Sequence, residues 1–115
     1  MGLLDWLAAP VWQIGVLENR LTIFEPKTGR SAERQAGLEF SRDGLLVVDA
    51  QILEHELTKL FRAFTDSRWM SRYPVVEVHQ FAWPIQGLEL EAVRIAVMNA
   101  GASKVVLLYG RDSTP

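Results

Sequence analysis

Glu77 and His79 are the residues of this sequence best suited to acid–base chemistry. They stand two positions apart within residues 74–81, a run rich in β-branched and aromatic residues that is typical of a β-strand. Side chains two positions apart in a strand lie on the same face of the sheet. We therefore predict a polar pair, which forms an acid–base couple if it faces a cleft. The alternative is that the two groups only satisfy each other on a partly covered face.

Other common catalytic and metal-binding patterns are missing from the sequence. There is no cysteine, which excludes disulfides, thiolate metal sites and cysteine nucleophiles. The second histidine, His55, lies between two glutamates on a predicted helix, where an exposed histidine without a catalytic role is usual. No serine lies in a G-x-S-x-G motif, and neither G-x-x-x-x-G-K-[ST] nor G-x-G-x-x-G is present. The sequence therefore predicts no resident metal and no cofactor.

The composition predicts one globular domain. The 115 residues are 49% hydrophobic and 23% charged, and a chain of this length can bury a core without disulfides or metals. The formal net charge of -2 and the lack of a Lys/Arg run argue against nucleic acid as a partner.

The N-terminal residues are apolar, yet no Lys or Arg precedes them and they are too few to span a bilayer. We therefore expect neither a secretion signal nor a membrane anchor, and a cytoplasmic protein. Membrane contact through an amphipathic turn containing Trp6 is an alternative. Packing of this turn on the body of the domain is favoured, because the segment lacks basic residues to meet anionic lipid.

The first third of the chain predicts a β-hairpin followed by a loop. Val11–Leu17 and residues 21–24 are short apolar runs, and the turn between them contains Asn19, which tolerates a positive φ. Residues 26–37 show no sustained apolar period and are predicted to be a loop. A third strand is expected beside the turn at residues 42–44.

The candidates for that third strand are residues 38–40 and residues 45–48, and the alternative is that both are strands that pair through the turn. Asp49 then suits a helix N-cap, because its carboxylate can accept an otherwise orphan backbone N–H. From Ala50 to Phe64 the apolar residues recur on one helical face, which predicts a half-buried helix.

The last third of the chain predicts a βαβ unit. The strand at residues 74–81 is followed by a helix at Leu88–Ala100, a C-cap glycine at Gly101 and a second strand at residues 104–109. Strands joined by such a crossover are expected to be parallel.

The second helix is apolar on nearly all sides. One stripe is formed by Leu90, Val93, Val97 and Ala100, and another by Leu88, Ala92, Ile95 and Met98. A helix of this kind is normally covered on more than one side. Either the N-terminal segment, with Trp6 and Trp12, covers the second stripe, or a second chain does. We favour self-association and expect the interface at Leu88, Ile95 and Met98 and at the edge strand of the hairpin.

Five segments together resemble, in order and spacing, the first lobe of the actin-like ATPases, above all the bacterial rod-shape-determining homologues of the MreB type. The segments are Gly44-Leu-Leu, Ile52-Leu-Glu-His-Glu-Leu-Thr-Lys-Leu-Phe61, Pro74-Val-Val-Glu-Val, Leu90-Glu-Ala-Val-Arg94 and Ala100-Gly-Ala-Ser-Lys-Val-Val-Leu-Leu108. The likeness covers about Gln13 to Leu108. It implies an α/β, RNase H-like or actin-like lobe of order β-β-β-α-β-α-β, with helices packed on a mixed sheet.

The nucleotide-binding positions that the resemblance implies are altered. The family opens with D-x-G-T, whereas this chain has Gln13-Ile-Gly15-Val16, so a neutral amide and a valine replace the carboxylate and the hydroxyl. Tyr109 stands where the family keeps the group that positions the attacking water. Phosphoryl transfer depends on positioning and metal-assisted charge stabilisation, and we therefore expect no autonomous ATPase activity.

We thus expect an amphipathic segment at residues 1–12, one actin-lobe-like domain at residues 13–110 and a flexible tail at residues 111–115. The expected function is non-catalytic protein–protein association as a homo-oligomer, linked by the resemblance to rod shape and the bacterial actin-like cytoskeleton. One alternative is an ATP-binding protein whose cleft is completed by a partner chain. Another is a peripheral membrane module that uses the N-terminal segment.

Overall fold

A computed structural model describes residues 9–65 and 73–108. Trp6, Tyr109 and the expected tail at residues 111–115 lie outside the described residues. The described elements are β1 (Val11–Leu17), β2 (Arg20–Glu25), β3 (Arg30–Gln35), α1 (Ala50–Phe64), β4 (Val75–Phe81), α2 (Leu88–Ala100) and β5 (Lys104–Leu107). They form an α/β domain with the expected element order β-β-β-α-β-α-β.

The five strands form one mixed sheet of order β3-β2-β1-β4-β5. β1 and β2 are antiparallel, and so are β2 and β3, whereas β1 and β4 are parallel and β4 and β5 are parallel. The parallel pairing of β4 and β5 through α2 confirms the predicted βαβ unit.

The core lies between one face of this sheet and the two helices. Alternate residues of the central strands point into it, as in Ile14, Val16 and Val78, and they join buried residues of both helices in one cluster. α1 and α2 also pack against each other. The opposite face of the sheet contributes no large apolar side chain to this cluster.

The hairpin of β1 and β2 forms as predicted, and its turn is tied to a distant loop. Asn19 has a φ of 51°. Its side-chain oxygen accepts hydrogen bonds from the backbone N–H groups of Phe40 and Ser41, both at 2.8 Å, and its amide nitrogen donates to the carbonyl of Ser41 at 3.0 Å. The turn residue therefore anchors the start of the segment that leads into α1.

The predictions for the third strand were wrong. β3 is Arg30–Gln35, inside the segment predicted to be a loop, and residues 38–40 and 45–48 belong to no strand. β3 is an edge strand whose side chains are mostly exposed, so it needs no apolar face and its sequence carries none. Its backbone pairing with β2 and ion pairs such as Arg20–Glu33 hold it instead. The apolar residues of the mispredicted segments, among them Phe40 and Leu46, are buried as part of the core.

This pairing also corrects the expected interface on the hairpin. β2 lies between β1 and β3, so the hairpin has no free edge on that side. The actual edge, β3, is charged, which is how natural sheets protect an edge from further pairing.

Both helices begin and end where the sequence predicts. Asp49 caps α1, accepting hydrogen bonds from the backbone N–H groups of Gln51 at 3.0 Å and Ile52 at 3.1 Å. Gly101 ends α2 with a φ of 131°, a conformation that favours glycine. Neither of these two helices is long and apolar enough to cross a membrane.

Candidate functional site

The sheet face turned away from the helices, called the open face below, collects most of the polar residues that the sequence singled out. The register of β2, β1, β4 and β5 places Phe24, Gln13, Glu77 and Val106 side by side in one row across it. These four side chains are exposed or half-buried. Two sequence-predicted sites, the Glu77/His79 pair and the altered phosphate-loop position Gln13, therefore meet in one place.

Glu77 is the centre of this polar cluster. Its Oε1 lies 2.8 Å from Nε2 of His79, so the predicted pair is hydrogen-bonded. The same oxygen accepts a hydrogen bond of 3.4 Å from the side-chain amide of Gln13. The side chains of His79 and Glu77 are 37% and 30% exposed, so the pair lies at the surface of the sheet. This arrangement matches the alternative in which the two groups satisfy each other on a partly covered face.

β4 carries an irregularity at His79, next to this polar pair. Ile14 pairs with Val78, but the next residue, Gly15, pairs with Gln80, so His79 is left without a partner residue on β1. A β-bulge of this kind re-aims a side chain and bends the strand. The sequence gives no sign of the bulge, because it depends on how two distant strands align.

Gly15 is enclosed by polar side chains on the open face. A Cβ atom at this position would lie 2.6 Å from Oγ1 of Thr22 and 3.3 Å from Oε1 of Gln80. The two side chains thus fill the space above the glycine. Sequence reasoning missed Thr22 and Gln80, because each is brought to Gly15 by strand pairing alone.

Val16 and Gln13 do not converge on one ligand. Val16 is fully buried in the core on the helix side of the sheet, whereas Gln13 lies on the open face. Alternation along a strand sends neighbouring odd and even positions to opposite faces, so this separation follows from β1 being a regular strand at these positions. Within residues 9–65 and 73–108, no three His, Cys, Asp or Glu residues gather in a group that could hold a metal ion.

The outer side of α2 is a second candidate site, formed by three exposed apolar side chains. Leu88 is 89% exposed, Ile95 45% and Met98 40%. At about 100° per residue these positions fall within an arc of about 80° on the helix surface. We call this surface the α2 stripe. The opposite side of α2 is buried through Val93 and Val97.

Trp12 does not cover the α2 stripe. Its ring packs edge-on against Phe61 and Phe64 of α1, with centroid distances of 5.3 Å in both cases. Of the two alternatives for covering α2, the one that used Trp12 is therefore contradicted for this residue, because β1 alternation points it into the core beside the other helix. Trp6, the other residue of that expectation, lies outside the described part of the chain.

A surface ion pair interrupts the α2 stripe, because Glu91 falls inside the same arc and Arg94 lies at its edge. Nε of Arg94 lies 3.1 Å from Oε1 of Glu91, one turn earlier on the helix, and a second contact joins their other polar atoms. The hydrogen bond from Arg94 holds the pKa of Glu91 below its ordinary value, with a further contribution from the positive charge. The stripe is thus accompanied by both a carboxylate and a guanidinium.

A concave surface lies at the start of α2. It is a shallow depression lined by Pro84, Ile85, Gln86 and Glu89. Oε2 of Glu89 accepts hydrogen bonds from the backbone N–H groups of Leu46 at 2.8 Å and Val47 at 3.1 Å. Glu89 therefore fixes the loop that precedes α1, and this contact explains a carboxylate in the first turn of α2.

The sequence of this chain matches no protein-family model and no curated protein.

Proposed function

We propose that this chain is a non-catalytic, actin-like lobe that acts by protein–protein association, as a homodimer formed through the α2 stripe. The process implied by the sequence resemblance is bacterial cell shape and the actin-like cytoskeleton. The exposed apolar stripe of α2 is the observation that carries the association.

The arrangement of strands supports the resemblance to an actin-like lobe. A three-stranded antiparallel part, β1 to β3, precedes a parallel βαβ part, and β1 joins the two at the centre of the sheet. Both helices lie on one face and pack against each other. This is the element order and the mixed sheet that the resemblance implies.

A second copy is the favoured partner of the α2 stripe for reasons of chemistry. The stripe has three apolar side chains, with Glu91 between Leu88 and Ile95 and with Arg94, of opposite charge, at its edge. In a two-fold interface the same patch faces itself, so a surface with both signs can pair each charge with its opposite in the other copy. A patch of one sign could not do so.

The size of the stripe sets the expected strength of the dimer. Burying a Leu, Ile or Met side chain that is fully exposed in the monomer contributes about 1.5–3 kcal/mol to the free energy of association. Part of this is offset by the loss of translational and rotational freedom. Because the three side chains are only partly exposed, we expect a weak dimer, with a dissociation constant no tighter than the micromolar range.

The chemistry at the phosphate-loop positions supports the absence of catalysis in this proposal. The amide of Gln13 is hydrogen-bonded to Glu77, and a neutral amide cannot replace a carboxylate beside a metal–phosphate group. Val16 is buried and cannot approach a ligand on the open face. Thr22 fills the space above Gly15.

Two experiments test the proposal, and the first addresses the enzyme alternative. Calorimetric titration of the chain with Mg-ATP is expected to show no binding, and a phosphate-release assay no hydrolysis. Tight binding, or hydrolysis that is lost on Gln13→Ala, would instead establish the ATP-binding alternative.

The second experiment addresses the interface, and it uses the lack of native cysteines. Ile95→Cys places one thiol on the α2 stripe, and mild oxidation is expected to give a disulfide-linked dimer. Phe24→Cys is the matched control, because Phe24 is 40% exposed and lies on the open face, on the opposite side of the sheet from α2. Equal cross-linking of both variants would mean random collision and would reject this interface.

A further inference from the structure

Together with the glutamate that interrupts it, the α2 stripe has the spacing of a coiled-coil seam. Leu88, Glu91, Ile95 and Met98 follow one another at intervals of three, four and three residues, and all four side chains are exposed. This alternation is the a/d repeat with which two α-helices pack side by side. We call these four residues the α2 seam. The seam therefore fits another helix, with one carboxylate at a position that is normally apolar.

The α2 seam lies on the side of the helix that points away from its own domain. Val93 and Val97 are buried on the opposite side. On one flank of the seam, Asn99 donates a hydrogen bond of 3.0 Å to Glu54 of α1. Arg94 lies on the other flank, away from α1. A pair of α2 helices joined through the seam therefore places the two domains on opposite sides, and Arg94 lies beside the contact.

A parallel pair of α2 helices is disfavoured by charge. In a parallel pair the two-fold axis runs along the helices, so each seam residue faces its own copy. Glu91 then faces Glu91 of the other copy, and like charges in contact are unfavourable. The two copies of Arg94 lie on opposite flanks of this pair. Each Glu91 thus keeps only the Arg94 of its own chain.

An antiparallel pair removes this repulsion. When the whole seam overlaps, Leu88 lies level with Met98 of the other copy, and Glu91 lies level with Ile95. Both copies of Arg94 then lie on one flank, and each is within about 2 Å, along the helix axis, of the level of Glu91 in the other copy. Each guanidinium can therefore contact two carboxylates, that of its own chain, where Nε lies 3.1 Å from Oε1, and that of the other copy.

We propose that Glu91 and Arg94 fix the orientation of the homodimer, so that the two α2 helices pack antiparallel with Leu88 of each copy beside Met98 of the other. This inference rests on the proposed function, because it requires self-association through the α2 stripe, and it adds the residues that select the orientation. Each α2 seam is buried in one closed pair, so the assembly stops at two copies. The charged residues give specificity rather than affinity, since exposed ion pairs contribute little to binding.

Disulfide cross-linking at the two ends of the α2 seam tests the orientation. A mixture of Leu88→Cys and Met98→Cys chains is expected to give mainly the mixed disulfide, identified by its intact mass. Each variant alone should cross-link little, because its two thiols are about 15 Å apart along the antiparallel pair. Self-cross-linking of Leu88→Cys without the mixed product would mean a parallel pair and would overturn the proposal.

The cross-link at Ile95→Cys reports on the dimer and not on its orientation. Ile95 lies only about 3 Å, along the helix, from the level of the two-fold axis in the antiparallel pair, so this cross-link forms in both orientations. Absence of the Ile95→Cys cross-link would reject the proposed function together with the orientation. Its presence, with Leu88→Cys self-cross-linked, would reject the orientation alone.

Charge reversal tests the two selecting residues, with sedimentation velocity as the measurement. Glu91→Arg and Arg94→Glu are each expected to raise the dissociation constant of the dimer about tenfold, because like charges then meet between the copies. A mixture of the two variants should dimerise like the wild type, since opposite charges meet again. The repulsion within each helix persists in the mixture, so recovery must come from contacts between chains. Dissociation constants unchanged by either single reversal would overturn the proposal.

Discussion

Nε of Arg34 lies 2.6 Å from Oε1 of Glu56, and the Glu56 carboxylate is only 1% exposed. Glu56 also accepts hydrogen bonds from the backbone N–H groups of Gly37 and Leu38. One buried carboxylate thus joins α1 to the edge strand β3 and to the segment that follows it. Because β3 contributes little apolar surface, this contact and the hydrogen bond of 2.9 Å from Arg30 to the carbonyl of Phe64 attach it to the helix layer.

Replacing Glu56 is expected to destabilise the domain strongly. Glu56→Gln keeps the shape but removes the charged acceptor of Arg34 and of the two backbone N–H groups, and we expect a loss of about 2–4 kcal/mol in the free energy of unfolding. Urea unfolding followed by circular dichroism measures it. Glu33→Gln is the matched control, because its ion pair with Arg20 is exposed, and it should cost less than about 1 kcal/mol. Equal losses would show that Glu56 acts as an ordinary surface group.

Glu56 also predicts how stability depends on pH. Burial by itself raises its pKa, but the hydrogen bond and charge of Arg34 and the two backbone N–H groups outweigh burial, so the folded pKa lies below 4.5. Between the folded and unfolded pKa values the unfolded chain binds the extra proton. The contribution of Glu56 is therefore complete above the unfolded pKa and is lost as the pH falls through the folded value.

The urea midpoint measured from pH 7 to pH 3 tests this sign. The urea concentration at which half of the wild-type chain is unfolded should decrease once the pH is lowered below about 4.5. The curve of Glu56→Gln should fall less steeply over the same range. A variant curve parallel to that of the wild type would assign the acid sensitivity to other carboxylates.

Asn19 is expected to stabilise the fold both through its backbone conformation and through the hydrogen bonds of its side chain. Asn19→Ala should lower the free energy of unfolding by about 2–3 kcal/mol, because it removes three hydrogen bonds and places alanine at positive φ. Asn19→Gly restores the conformation but not the hydrogen bonds, so it should recover only about 1 kcal/mol. Asp43→Ala, at a φ of 55° in an exposed turn, is the control for conformation alone. An effect of Asn19→Ala no larger than that of Asp43→Ala contradicts the role of the side chain.

Gly15 and Thr22 are expected to be energetically coupled. Gly15→Ala puts a methyl group 2.6 Å from Oγ1 of Thr22, so we expect a loss of about 1–2 kcal/mol. In Gly15→Ala with Thr22→Ala the obstructing oxygen is gone, and the double variant should be more stable than the sum of the single effects predicts. Thermal unfolding of the four proteins in this cycle measures the coupling. Strict additivity would mean that the strand shifts to admit the methyl group.

The helices were predictable because their signals are local. Asp49 indicates where α1 begins, and Gly101 indicates where α2 ends. The spacing of apolar residues within each helix indicates which side is buried. β3 escaped prediction because an edge strand exposed on most of its side chains has no apolar pattern. The apolar residues near Phe40 suggested a strand, yet they are buried in an irregular segment.

The polar cluster was predictable only in part. Glu77 and His79 stand two positions apart, so their contact follows from strand geometry alone. The contact between Gln13 and Glu77 joins residues 64 positions apart, and it depends on which strand lies beside β1. The exposed apolar side of α2 was predictable from the sequence. Its apolar residues lie on nearly all sides of the helix, whereas one face of a sheet covers only one side.

Sedimentation velocity over a concentration series tests the central claim, self-association through the α2 stripe, most directly. The wild-type chain is expected to shift from monomer to dimer in the micromolar range, and Ile95→Glu to stay monomeric at every concentration, because it buries a charge in the interface. Phe24→Glu, which adds the same charge at a similarly exposed apolar residue on the open face of the sheet, should dimerise like the wild type. A wild-type chain that remains monomeric at high concentration, or a dimer unchanged by Ile95→Glu, would contradict the claim.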